Sequence, residues 1–194
     1  MSRDTSTDLR VVRTKRAIET ALVSLMATTP LDEVTVQQIC ASALVNKGTF
    51  YRHYRDKYDV AECVARRELE EFEKTVVGRI EIVAGTGSYS ELDGMVDGSE
   101  IGRNVCTLIL LERVTLDGQT VQDHVRNMIA SALERLARLN MVSKDVETEA
   151  WVLTMLFFDY PKYRRTMEHP VDTESYTRAV AEVAIVYQRL FGKQ

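Results

Sequence analysis

Two very short helices, each delimited by its own cap and separated by only a few residues, constrain this chain more than any other feature. Thr35 followed by Gln38 forms a capping box, in which hydroxyl and carboxamide each satisfy a backbone N–H of the other residue. The helix it opens has Val36, Ile39 and Cys40 on its apolar side. Ala43, Leu44 and Val45 leave room for a tight turn only, because Asn46 is a second N-cap. The helix after it carries Phe50 and Tyr54 four residues apart on one face, and Asp56 caps the element that follows.

Longer helices flank this pair. Ile18, Ala21, Leu22, Leu25 and Met26 repeat with the helical period, Val11 extends the stripe backward, and Thr28-Thr29-Pro30 ends it. Downstream, Ala61, Val64, Ala65, Leu69, Phe72 and Val76 describe one helix reaching roughly to residue 84. Further helices are expected over Val105–Val114, over Val121–Leu139 and from Val146 through Phe158, with a last one from Tyr176 to Phe191. No period-two strand pattern persists, so the fold class is all-α. The expected division is residues 1–56 as a three-helix helix-turn-helix domain and 57–194 as a C-terminal domain, with 57–84 as the connecting helix. Helix, short helix, turn and helix is the plan whose second short helix enters the major groove of double-stranded DNA.

The outer face of that second short helix suits the role. With Phe50 and Tyr54 turned inward, Lys47, Thr49, Tyr51, Arg52 and His53 project outward. Asp56 alone opposes Lys47, Arg52, Arg55 and Lys57, and such a donor-rich surface fits phosphate oxygens. The charge distribution agrees. Residues 1–57 hold nine Lys and Arg against six Asp and Glu, whereas 58–194 hold sixteen against twenty-three, so the basic character is local to the N-terminal part. Arg10, Arg13, Lys15 and Arg16 either reach phosphates or form a solvated face.

Other chemistries find little support. Cys40, Cys63 and Cys106 are odd in number and widely spaced, which suggests neither a disulfide framework nor a CxxC site. His53, His124 and His169 make no metal-spaced cluster. There is no nucleophile–base arrangement and no phosphate-binding glycine loop, so neither catalysis nor a cofactor is expected. Residues 1–8 are polar rather than signal-like, and the apolar run Trp151–Phe158, broken by Thr154, is too short to span a bilayer; a cytoplasmic protein is expected.

The C-terminal part reads as an assembly and sensing region. Five glycines between Gly85 and Gly102 mark a loop, although Gly94, Gly98 and Gly102 also have the spacing of a helix-packing seam. The segment 146–158 is apolar on nearly every side, and the last helix has a stripe widened by Ile185 and Val186. Such surplus is economically covered by a symmetric dimer using Trp151, Phe158, Tyr176, Val180, Val183 and Tyr187. Cys106, Met128, Trp151, Met155, Phe157 and Tyr160 are either the lining of an effector pocket or plain core. Tyr160-Pro161-Lys162-Tyr163-Arg164-Arg165 is expected to be a basic break between the last two helices.

Thr35-Val36-Gln37-Gln38-Ile39-Cys40, followed by Val45 through Lys57, resembles the N-terminal domain of TetR-family transcriptional regulators, over roughly Arg13–Val64. The resemblance implies a homodimer that binds a palindromic DNA operator, commonly as a repressor, and is released by a small-molecule effector held in the C-terminal domain. It also implies that Thr35, Lys47, Gly48, Thr49, Tyr51, His53 and Lys57 touch the operator, with Arg52 suited to guanine and Asn46 standing where serine is commoner. Some members of the family act instead as coactivators through a protein partner. That is the alternative implied here.

Overall fold

In a computed structural model the described residues are 4–78, 100–138 and 145–166. Helix α1 spans Asp4–Met26, α2 Val36–Ser42, α3 Lys47–His53 and α4 Lys57–Phe72, which widens into a π-helical turn at Glu73–Val77. After them come α5 (Glu100–Leu110), a hairpin of β1 (Thr115–Leu116) and β2 (Gln119–Thr120), α6 (Val121–Arg138) and α7 (Val146–Thr166). The expected C-terminal helix over Tyr176–Phe191, with Val180, Val183 and Tyr187, lies outside the described residues, as does the glycine-rich stretch up to residue 99.

The three caps fall where local sequence places them. The Thr35 hydroxyl accepts from the Gln38 N–H at 3.2 Å, and the Gln38 side chain accepts from the Thr35 N–H at 2.8 Å. Asn46 Oδ1 accepts from the Thr49 N–H at 2.7 Å, while Asp56 Oδ1 accepts from the N–H groups of Tyr58 and Asp59. Between the first two caps the chain reverses through Leu44 at φ 55°, a left-handed conformation that costs a leucine about 1–2 kcal/mol and leaves its side chain 92% exposed. The turn is therefore held by its flanking helices and by the Val45 N–H donating to the Cys40 carbonyl at 3.0 Å.

One apolar core runs through the described elements. Ile18, Ala21 and Leu22 of α1, Ile39 and Cys40 of α2, and Phe50 of α3 meet Val60, Ala61 and Val64 of α4. The same cluster continues through Phe72 into Leu108, Val125, Ile129 and Phe158 of the later helices. α4 is the shared wall: its first turns complete the N-terminal head and its last turns pack against α5 and α6. Phe72 meets Phe157 edge-on, with ring centroids 5.5 Å apart.

A chain of polar groups crosses this core. Glu19, only 9% exposed, accepts from the Tyr54 hydroxyl at 2.6 Å and pairs through its other oxygen with Arg67 of α4. Arg67 also pairs with Glu68, and Glu68 accepts twice from the buried Asn104 side chain of α5, through backbone carbonyl and carboxylate, each at 2.8 Å.

Three sequence expectations need revision. The hairpin was not anticipated, although Asp117-Gly118 is a strong two-residue turn signal; both residues have positive φ, 52° and 83°. Arg66 of α4 holds that turn by pairing with both carboxylate oxygens of Asp117, at 3.0 and 3.2 Å. The expected break at Tyr160–Arg165 is absent, because α7 continues through Pro161 to Thr166 and Lys162 pairs with Glu112 beyond α5. A proline removes one helical hydrogen bond, and this long-range ion pair ties down the turn that follows it. Finally α5 starts at Glu100, so Gly102 lies in a helix rather than in the expected loop.

Candidate nucleic-acid interface

α3 is the smallest helix able to present a face. Seven residues give two turns, and Phe50, fully buried, and Tyr54, 3% exposed, root it in the core with their rings 6.0 Å apart. Tyr54 is fixed further by its hydrogen bond to Glu19, and burial raises its phenol pKa well above the ordinary value, so it stays a donor. With that side locked, Lys47, Tyr51 and Arg52 stand exposed and Thr49 and His53 are half-buried beside them. Neither Lys47 nor Arg52 has an ion-pair partner among the described residues. Tyr51 is 57% exposed and leans edge-on against Phe50 at 5.3 Å.

Lys15 of α1 sits over the Tyr54 ring at 5.7 Å, next to this face, and Arg13 and Arg16 are exposed on the same helix. The His53 pKa is lowered, first by partial burial and then by the positive charges of Lys15 and Arg52. This surface is a cationic patch, and a cation-rich face with hydroxyl donors at its edge is what a phosphate backbone requires.

The nine residues expected at the interface do not share one condition. Lys47, Thr49, Tyr51, Arg52 and His53 form the outward set on α3. Thr35 and Asn46 have side chains committed to capping α2 and α3. Gly48 stands where a Cβ would come within 3.3 Å of the Asn46 cap oxygen, so its lack of a side chain also protects that cap. The Lys57 ammonium is turned toward the protein: it donates to the carbonyls of Asp32 at 2.6 Å and Val34 at 2.8 Å. Sequence reading had no signal for that contact, since the partners are backbone atoms more than twenty positions away.

The residues expected to line an effector pocket stand in different surroundings where they are described. Trp151 and Met155 are about half exposed on the outer side of α7, Cys106 is exposed on α5, and Met128 and Phe157 are partly buried against the core. Nothing is described of the Tyr160 side chain. Among the expected interface residues Trp151 faces outward, with Arg126 over its ring at 5.3 Å, whereas Phe158 is 1% exposed within a single chain. Phe158 is a core residue, because the side of α7 carrying Ala150, Thr154 and Phe158 faces α6 and α5. No helix among the described residues is long and apolar enough to cross a membrane.

Residues 18–64 match the family model for bacterial regulatory proteins of the tetR family. No curated protein matches the chain. The structure resembles that of a gamma-butyrolactone receptor described as an ArpA-like protein, at a TM-score of 0.53 and 22% identity, covering 93% of this chain and 99% of that one. A second structure of the same description is similar at a TM-score of 0.51 and 21% identity, over 76% of this chain and 74% of the other. These likenesses establish a shared all-α fold. Residues 18–64 are thus a helix-turn-helix segment of the type found in bacterial regulatory proteins of the tetR family.

Proposed function

We propose that this regulator acts as a homodimer on a palindromic operator, represses from it, and is released by a small-molecule effector bound in the residues after the head. The observation that carries the DNA reading is the outward set Lys47, Thr49, Tyr51, Arg52 and His53, aligned on a helix whose other side is locked by Phe50 and Tyr54 and whose Lys47 and Arg52 have no ion-pair partner among the described residues. Lys47 and Arg52 meet phosphates or, for Arg52, the O6/N7 edge of guanine; Thr49 meets a base edge, and Tyr51 and His53 donate to phosphates. The named ligand of the two structural relatives makes a gamma-butyrolactone the first effector chemistry to test. The domain boundary proposed at 56/57 coincides with the Asp56 cap of α4. A regulator of this kind works in the cytoplasm, where the operator is.

Footprinting on the promoter beside its own gene tests this reading. Protection of a palindrome with half-site centres about 34–36 Å apart, or a multiple of it, is expected. If no neighbouring promoter is protected, the chain works through a protein partner instead. On the identified site, Lys47→Ala should weaken all sequences alike and flatten the dependence of log affinity on log salt by about one unit. Arg52→Ala should cost about 1–3 kcal/mol and relax discrimination at one base pair if it reads guanine. An unchanged slope for Lys47→Ala would take that residue out of the contact set.

His53 makes the binding pH-dependent. In the free protein its pKa is below the ordinary 6.5, so it is mostly neutral near pH 7. A phosphate alongside stabilises the charged form and raises the pKa in the complex. The complex therefore binds more protons than the free protein, and operator affinity should rise as pH falls from 7 toward 6. His53→Gln should remove that part of the pH dependence in titrations at matched salt; an unaltered profile would place His53 away from phosphate.

A further inference from the structure

The two ends of the helix-turn-helix unit meet at one point. Asp32 and Val34 lead directly into the Thr35 cap of α2, and Lys57 and Tyr58 follow directly from the Asp56 cap of α4. The Lys57 ammonium donates to the carbonyls of Asp32 and Val34 in the entering turn, at 2.6 and 2.8 Å, and the Tyr58 hydroxyl donates to Asp32 Oδ1 at 3.1 Å. Lys57 also lies over the Tyr58 ring, 5.1 Å from its centroid. The segment from Thr35 to Asp56, which contains α2, the turn and α3, is thus a loop closed at its base by two adjacent side chains.

We propose that Lys57 is a positioning residue for operator recognition: with Tyr58 it clasps the base of the helix-turn-helix, and it acts on DNA through the orientation of α2 and α3 rather than through its own charge. The proposal rests on α3 being the operator-contacting helix. Three features favour a clasp over a phosphate contact. Lys57 is only partly exposed, whereas Lys47 and Arg52 on α3 are exposed. Two of its three donors are taken by the carbonyls of Asp32 and Val34, which leaves only one for a phosphate. Tyr58 makes the same connection without charge, which a phosphate site would not need.

A clasp and a phosphate ligand differ in what they do without DNA and in how they respond to salt. Lys57→Met keeps the aliphatic stem and removes the donors. The clasp reading expects amides of residues 35–42 in the free protein to exchange faster by about tenfold, since hydrogen bonds to a charged donor are among the stronger ones. It also expects operator affinity to fall by about the same factor with an unchanged salt slope, because no phosphate loses its counter-charge. Lys57→Arg, whose guanidinium can serve two carbonyls, should recover most of both losses. Tyr58→Phe is the second variant: it removes one strap and no charge, and should raise exchange over the same segment by a smaller factor. A salt slope lower by about one unit in Lys57→Met, or unaltered exchange in both variants, overturns the proposal. Because the exchange measurement uses the free protein, it decides the clasp even if no operator is found.

Discussion

Glu19→Ala is expected to destabilise the protein by about 3 kcal/mol, lowering Tm by roughly 6–12 °C for a chain of this length. The cost arises unevenly among the partners. The Tyr54 hydroxyl, buried at 3% exposure, would lose its acceptor, and an unsatisfied buried donor costs about 1–3 kcal/mol. Arg67, whose side chain is half exposed, would recover solvent and its pair with Glu68, so its loss is smaller. The rest is the space left by the glutamate stem between α1 and α4. Tyr54→Phe should cost about 1 kcal/mol, because Glu19 keeps Arg67. In the double variant the two losses should not add, since both remove the same bond. Thermal unfolding of the three variants measures this directly. Strict additivity would mean that the Tyr54–Glu19 bond contributes nothing beyond its separate ends.

Trp151→Glu is expected to convert the proposed dimer to monomers in sedimentation and to lower operator affinity by at least about a hundredfold. A dimer engages its second half-site at high effective concentration, worth about 10²–10⁴ in affinity, and a monomer forfeits that factor without losing a single α3 contact. The substitution is chosen from the described geometry. Trp151, Val152 and Met155 are each close to half exposed along α7, an apolar strip beside a core already filled by Ala150, Thr154 and Phe158. A carboxylate there meets no buried partner within the described residues, so helicity should be retained. A variant that stays dimeric, or that melts early while remaining dimeric, would show that the strip is covered from within its own chain and that the contact between copies lies elsewhere.

The legibility of this molecule in its sequence followed the range of the forces involved. Caps act over two or three residues, so Thr35, Asn46 and Asp56 could be located from their neighbours, and with them the lengths of α2 and α3. The inward placement of Phe50 and Tyr54 followed from helical period alone. Long-range polar contacts gave no such signal. Glu19 looks like any surface charge on α1 until Tyr54 and Arg67, 35 and 48 positions away, close over it. The direction of the Lys57 side chain is likewise a tertiary fact. On α7 the difficulty was different: apolar residues on nearly every side left its orientation open, and only packing against α6 decided that Phe158 faces in and Trp151 out. Asp117-Gly118 is a legible turn, but strands of two residues on either side of it are too short to show alternation.

The wall formed by α4 has a consequence for modularity. The proposed head ends at the Asp56 cap, but its core is finished by Val60, Ala61 and Val64 on the next helix, and that helix is in turn packed against α5 and α6. Excised at residue 56, the head would lose the surface that covers Ile18, Leu22 and Phe50, and it would lose Lys57 as well. Recognition is therefore not a portable cassette in this chain. Any exchange of heads has to carry α4 along, and with it the groups, Arg66 among them, through which α4 is fastened to the elements that follow.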